Sequence, residues 1–470
     1  MDEPICSGCR QRDAIIAELL RRVADLEATV RDLQARLGQN ASNSSVPPSA
    51  NPLGAPKPVA KKRTGRRPGG QPGHPPRLRQ LLPAERVTRT QVFVPPHCAG
   101  CRAALPAAAG PHDPPPVRFQ TIDLPDVTAV VVEYQGHART CGACGAVTHA
   151  AIPAAIRAHA IGPGLSGTLS YLSGCHGLSR RAVEEIAEAV FAAPVSLGTV
   201  ANLEREMSAA LAPAHAQALA VVRAAPVKTA DETSWKKRGR LCWLWAAATA
   251  TTAAFVIHAR RSAAGLAALL GAEVRGIVCS DRWGVYGQVP ASRRQVCWAH
   301  LKRDFRKVVD GGGSDVAVGR RGLRVVKQVF AAWHLFRGGG GTRAQLRLAL
   351  EPLEVRLNKI LLEGAILGTD AKVARFCENV LAVEPALWTF ARVDGVEPTN
   401  NHQERLLRRA VLWRKRSFGS WSDGGCRFVE RVLTVVQTLR LQDRSVLAFL
   451  RETLAAHRAG HPTPSLISIG

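Results

Sequence analysis

PVKTADETSW, residues 226–235, is the stretch on which the fold turns: an extended run that leads into an acidic pair, Asp231 and Glu232. It reads as a short strand ending at that pair. LCWLWAAATA (241–250) and AAFVIHARR (253–261) read as two further strands, joined by a short turn into a meander. SAAGLAALLG (262–271) is helical by period, and VRGIVCSDRW (274–283) is a buried strand ending at Asp281. RRQVCWAHLKRDF (293–305) is one more strand passing into a helix. Strand, strand, strand, helix, strand, strand, helix is the order of a ribonuclease H-like α/β core, a mixed sheet with helices on its faces. Asp231 on the first strand and Asp281 after the fourth then sit at neighbouring strand ends.

Two carboxylates so placed repel one another unless cations bind between them. Mg2+ (or Mn2+) takes oxygen ligands from one or two carboxylates plus phosphate, and a pair of such ions suits phosphoryl transfer. For either aspartate alone a turn or cap is the plainer reading; both together on these strands reverse it. A third carboxylate is expected from a later helix, and Glu404 in EPTNNHQERLLRRAVLWRKR (397–416) supplies it. The Asn pair signals a helix start. Arg405, Arg408 and Arg409 follow, placed for phosphates beside a scissile bond. An ordinary i,i+4 salt bridge from Glu404 to Arg408 is the competing reading. The chain between Asp281 and Glu404 is helical by pattern, broken at Gly311–Gly313 and Gly338–Gly341, and is read as an insertion at about 304–395 in a catalytic domain of 221–440. Cys297-x-x-His300 has no matching pair for a zinc site and is read as a core cysteine with an accessory histidine near metal or DNA.

Upstream, Leu165–Leu211 is helical by period. A helix over Arg180–Phe191, the turn AAPVS and a second helix capped by Ser196 form a helix-turn-helix candidate within a DNA-binding region of 156–220. Thr199, Asn202 and Arg205 share a face suited to a major groove, although plain helical bundles contain similar hairpins. Cys98-x-x-Cys101 and Cys141-x-x-Cys144 each converge two thiolates on a tight turn, and together predict a closed structural Zn2+ site in a small β segment of 91–155. Residues 117–124 and 129–134 look like a hairpin between them. Cys6-x-x-Cys9 has no second pair nearby.

Residues 40–90 begin as an Asn/Ser/Pro linker and continue as a basic arm with Lys61, Lys62, Arg63, Arg66 and Arg67, read as tracking a phosphate backbone or a minor groove. Within 1–39, Ile16, Val23, Val30 and Leu37 alternate with Leu19, Leu26 and Leu33 in a heptad seam, which predicts a two-stranded coiled coil and a homodimer or higher oligomer. Residues 441–470 form a C-terminal helix and tail.

Lys and Arg number 63 against 37 Asp and Glu, a net charge of +26, which favours a polyanionic partner. No apolar run is long enough for a membrane span, and MDEPICSGCR has no h-region, so a cytoplasmic, nucleoid-associated protein is expected. Twelve Cys, six of them in C-x-x-C pairs, fit metal ligation and buried thiols rather than disulfides.

These motifs in this order, NASNSSVPPS (40–49), GGQPGH (69–74), the paired cysteines, ADETSW (230–235), SDRWGVY (280–286), CWAHLKRDF (297–305) and TNNHQERLLR (399–408), resemble the insertion-sequence transposases of family sixty-six, the TnpC type. The resemblance covers nearly the whole chain. It implies a DDE triad of Asp231, Asp281 and Glu404, and binding, cleavage and strand transfer at the terminal inverted repeats of a mobile element. Accessory proteins from the same element are a further implied partner. Many members carry Asp before the Asn pair; here that residue is Thr399. A DNA-binding regulator and a structure-specific nuclease are the competing readings. The first leaves the three carboxylates unused, and the second predicts cleavage without joining.

Overall fold

The computed structural model describes residues 7–37 and 79–467. The chain divides into two units, Lys57–Thr128 and Met1–Pro56 with Ala129–Gly470, so the division falls inside the expected 91–155 segment. Lys61, Lys62, Arg63, Arg66, Arg67, the 40–58 linker and Cys6 lie outside the described residues.

Helix α1 spans Ser7–Leu37, within the expected 1–39 segment, and takes in Cys9. Its seam residues Ile16, Leu19, Val23, Leu26 and Val30 are all exposed. In the Lys57–Thr128 unit the described chain is irregular apart from a single turn of 3-10 helix at Ala84–Arg86 and the cysteine turn closed by the His97–Ala104 bridge, and Gln120 bonds both the N–H and the carbonyl of Leu82. The expected hairpin over 117–134 does not form. The strands lie instead at β1, Ala138–Thr140, and β2, Val147–His149, antiparallel on either side of the CGAC turn. The cause is local: the turn closes through Cys141 N–H to the Ala146 carbonyl and Gly145 N–H to the Cys141 carbonyl, which brings the flanking residues into register.

A helical layer follows: α2 (Ala154–Arg157), α3 (Pro163–His176), α4 (Arg180–Phe191), α5 (Leu197–Ala210) and α6 (Ala212–Ala224). Ser179 and Ser196 cap α4 and α5, each hydroxyl accepting the N–H three residues on. The sheet and its helices come next: β3 (Val227–Lys237), β4 (Arg240–Ala248), β5 (Ala253–His258), α7 (Ala263–Leu270), β6 (Ile277–Ser280) and β7 (Arg294–Val296). Then come α8 (Trp298–Asp310), α9 (Val316–Arg337), α10 (Arg343–Ile366), α11 (Ala371–Leu381) and α12 (Thr389–Arg392). The chain closes with α13 (Asn401–Ser417), α14 (Asp423–Leu441) and α15 (Val446–Arg458). Among the described residues no helix is long and apolar enough to cross a membrane.

The sheet order is β5-β4-β3-β6-β7, with β3, β4 and β5 antiparallel and β3, β6 and β7 parallel. β3 does not stop at the acidic pair but runs through it to Lys237, because β4 pairs with it along its length from Thr229 onward. Arg238 and Gly239, both at positive φ, make the two-residue turn that a twisted hairpin requires. Small residues on β4 let helices approach both faces. Ala246 and Ala248 meet Leu406, Leu407 and Ala410 of α13, while Trp245 and Ala247 meet Leu266, Leu269 and Leu270 of α7. The outer edge of β5 is covered by α14: Glu430, Thr434 and Thr438, one turn apart, accept the N–H groups of Ile257, Phe255 and Ala253. The helices α8–α12 bury their own core around Trp298, Phe305, Val325, Val329 and Leu357. The glycine runs fall at the α8–α9 and α9–α10 turns, the second followed by a Thr342–Gln345 capping box. Phe449, Leu450 and Leu454 of α15 share a core with α3, α6 and α14.

Lys228 is buried on β3 at 1% exposure, with its ammonium donating to the Arg223 carbonyl at 2.7 Å. Burial lowers its pKa to about 8. The unfolded chain holds that proton more tightly, so wild-type stability rises with pH from about 8 to the ordinary lysine value near 10.5. Lys228→Met removes this rise and, net of the lost hydrogen bond, stabilises the fold at neutral pH by about 1–2 kcal/mol. Urea unfolding across pH checks it; an unchanged alkaline slope in the variant would refute it.

Candidate active site

The period-two alternation of β3 sends Asp231 and Glu232 to opposite faces. Asp231 shares its face with Thr229, which donates to Gln403 of α13 at 3.1 Å, and with Thr233, which accepts from Arg414 at 3.1 Å. Glu232 is 1% exposed in its side chain. It accepts Arg261 Nε and Nη2 on one oxygen, at 2.9 and 2.6 Å, and the Tyr286 hydroxyl on the other, at 2.7 Å. The Arg261 guanidinium in turn lies 4.0 Å from the Trp283 ring centroid. Glu232 is thus committed to a buried network, and Asp231 is the acid that faces α13.

Asp281 follows β6 directly. The parallel register pairs Thr229 with Cys279, so Asp231 and Asp281 each stand two residues past the last pair. Neighbouring strands run about 4.8 Å apart, which sets the two aspartates side by side. Asp281 accepts the Trp283 N–H at 3.0 Å, and Arg294 donates to its carbonyl at 3.1 Å.

Glu404 is brought over this pair by the start of α13. Asn400, fully buried, donates its amide to the Ala230 carbonyl at 3.0 Å and its backbone N–H to the Cys297 sulfur at 3.2 Å. Pro398 accepts the Trp298 N–H at 2.9 Å. Glu404 then meets Arg303 at 3.3 Å and His300 at 3.8 Å. Burial and the charges of Glu232, Asp281 and Glu404 push the Asp231 carboxyl well above its ordinary range. Burial pushes the Cys297 thiol up to about 11, which keeps it a neutral acceptor for Asn400 rather than a metal ligand. His300 is lowered by burial and by Arg303. Three buried polar atoms here have no partner: His300 Nδ1, Asn400 Oδ1 and Gln403 Nε2.

Arg405 and Arg408 are exposed on α13, whereas Arg409 donates to the Cys175 carbonyl at 3.0 Å and ties α13 to α3. On α5, Asn202 and Arg205 are exposed and bonded to one another, while Thr199 is half-buried with its hydroxyl 3.0 Å from Ser196. Only Asn202 and Arg205 of the expected three are open to a groove. Arg303 was not singled out from sequence, although CWAHLKRDF at helical spacing puts it on the His300 side of α8. Among the described residues no group of three His, Cys, Asp or Glu is arranged as a preformed metal cage. Of the expected zinc ligands, Cys98 and Cys101 lie in the Lys57–Thr128 unit, and Cys141 and Cys144 in the other. In each cysteine turn, backbone N–H groups aimed at the first sulfur lower the thiols of Cys98 and Cys141.

A mixed α/β domain with acidic groups gathered beside its central strand, in a strongly basic chain, is the class these observations define. The family model described as Transposase IS66 family matches residues 161–427, and the chain belongs to that family. A second model, a family of unknown function (DUF6444), matches residues 1–80. The chain is similar to the uncharacterized protein y4qI of Sinorhizobium fredii, 26% identical over 41% of this chain and 38% of that protein. It is also similar to the uncharacterized protein y4hP of the same organism, 29% identical over 37% of this chain and 34% of that protein. The chain thus matches little more than a third of the length of these curated relatives.

Proposed function

We propose that this chain is a DDE transposase that binds the terminal inverted repeats of an insertion sequence, cleaves there and joins the freed ends to target DNA. The observation that carries the reading is the register: Asp231 and Asp281 at the same level of adjacent parallel strands, with Glu404 held over them by Asn400. The strand order, with the acidic strand central between an antiparallel and a parallel half, supports a ribonuclease H-like core.

The donor set fits a divalent cation. Burial, with the charges of Glu232, Asp281 and Glu404 added to it, makes Asp231 resist ionisation, and unpartnered polar atoms border the group. Asp231, Asp281 and Glu404 would hold Mg2+ or Mn2+, which supplies positive charge against the phosphorane-like transition state when bound. The rest falls to the chain's own residues. Arg303, Arg405 and Arg408 contact phosphates flanking the scissile bond. Hydrolysis breaks one P–O bond and leaves a 3′-hydroxyl. That hydroxyl then attacks a target phosphodiester, one ester replacing another, so no high-energy cofactor is needed. Asn202 and Arg205 on α5 are proposed to read end sequences, and α1, with its exposed seam, to pair protomers.

The test is cleavage and joining on the element's own end DNA in magnesium, with any accessory proteins of the element present. Asp231→Asn, Asp281→Asn and Glu404→Gln should each bind DNA and neither cut nor join; variants that cut like wild type refute the assignment. Each Cys-x-x-Cys turn, taken alone, offers two thiolates of the kind structural zinc takes. Zinc measured in the purified chain should fall in Cys98→Ser and in Cys141→Ser; a zinc-free wild type refutes this part.

A further inference from the structure

Between α13 and α14 the chain makes a short strap, Phe418–Ser422, that carries two large rings into solvent: Phe418 is 78% exposed and Trp421 80%. Exposed rings on a mobile loop would mean little, but this strap is fastened. Ser420 donates to the Lys236 carbonyl at 2.8 Å and accepts from the Arg238 N–H at 2.9 Å, extending the β3 edge by one bridge. The Trp235 indole reaches the Ser420 hydroxyl at 3.2 Å, and the Arg238 guanidinium holds the Trp421 carbonyl at 2.9 Å. Gly419 lies so close that a Cβ would stand 2.2 Å from the Lys236 carbonyl oxygen. Phe418 itself occupies the left-handed position that ends α13, φ 56°, where glycine is the usual residue. The fold therefore gains nothing from a phenyl ring there.

The charge around the strap is one-sided. Lys236, Arg238 and Arg240 crowd the hairpin tip, Lys415 and Arg427 flank the strap in sequence, and all five are exposed. Asp423 is already paired with Lys237 at 2.8 Å. Aromatic side chains on a fastened backbone, set among cations, suit a nucleotide whose base is free to stack and whose phosphates are neutralised nearby. A duplex with its bases stacked on one another offers the cations a partner but the rings none. The strap lies roughly 20 Å from Asp231 along β3, and α13 runs beside that strand from Glu404 to the strap, so one DNA segment can reach both.

We propose that Phe418 and Trp421 form a base-stacking clip that takes unpaired or unstacked nucleotides of the DNA bound along α13. This rests on the transposase reading and adds to it a preference for locally opened DNA.

The test compares anisotropy of a labelled perfect duplex with that of the same duplex carrying a short central run of mismatches. Wild type should favour the mismatched probe. Phe418→Ala and Trp421→Ala should each weaken binding to the mismatched probe by about tenfold and leave the duplex within about twofold, while Trp421→Phe keeps most of the affinity. With 2-aminopurine in the mismatched run, wild type should quench its emission and the double alanine variant should not. Equal weakening on both probes, no weakening on either, or a change in oligomeric state instead of DNA affinity overturns the clip. If wild type binds duplex and cleaves it but shows no mismatch preference, only the clip falls. If wild type binds neither probe, the transposase reading falls with it.

Discussion

Asp231→Asn should abolish cleavage and joining, a loss of at least about a thousandfold, while making the metal-free protein harder to melt. The two effects share one cause. Asp231 is the carboxyl on which the burden falls: burial on the central strand raises the cost of its charge most, and Glu232, Asp281 and Glu404 add to it. Removing that charge relieves repulsion that the folded protein carries without metal, and it removes the anion that would draw metal in. Melting should therefore move up by a few degrees in the absence of divalent ions. Magnesium should raise the melting temperature of wild type and leave the variant where it is. If instead the variant melts lower and magnesium stabilises it as well as wild type, Asp231 is a structural residue and the cation site lies elsewhere.

The second large effect is expected far from any charge. Gly276 leads into β6 at φ +65°, and a Cβ there would stand 2.5 Å from the carbonyl oxygens of both Ala225 and Pro226. Those atoms are backbone and cannot swing away. Gly276→Ala should cost about 3 kcal/mol or more, lowering the melting temperature by roughly 4 °C or beyond. It should also silence cleavage in whatever fraction remains folded. The reason is register: Ile277 N–H bonds the Pro226 carbonyl at 2.7 Å, and that bond starts the β3–β6 pairing that sets Asp281 beside Asp231. Gly239→Ala is the control. It too sits at positive φ, 75°, but meets nothing within 4 Å, so it should cost only about 1 kcal/mol and spare activity. Equal losses in the two variants would show that conformational strain, not the close approach, sets the cost.

The strand and helix order around Asp231 could be read from hydrophobic runs because each run is bounded by turn residues, as at Arg238–Gly239 and at Gly271. Where β3 ends could not be read in this way. The expectation of a strand stopping at the acidic pair failed because the pairing of Lys237 with Arg240 depends on β4, not on β3's own residues. The separation of Asp231 from Glu232 follows from alternation alone, but which face meets the catalytic helix depends on where α13 docks. That docking rests on Asn400 reaching Ala230 and Cys297, contacts between residues more than a hundred positions apart. Cys297 could be read as a core cysteine because no matching pair follows it; that its sulfur accepts the Asn400 N–H depends on the docking of α13, which spacing does not display. The apolar alternation at 117–134 resembled a hairpin, yet Val117, Phe119, Val130 and Val131 are all exposed, and with no face covered there is nothing to hold two strands together.

α13 is fastened at both ends, by Asn400 to Ala230 and Cys297 at its start and through the strap to Lys236 at its finish. Between these moorings it behaves as a ruler laid along β3. Exposed residues outside the proposed phosphate contacts are free to drift, but its length is not. One residue added between Leu406 and Phe418 would turn one end against the other by about 100° and advance it about 1.5 Å, so that either Glu404 or the strap must lose its place. Evolution of this helix is thereby confined to substitution, with insertions and deletions pushed outward into the glycine-rich turns of α8–α10, where nothing is measured against the strand.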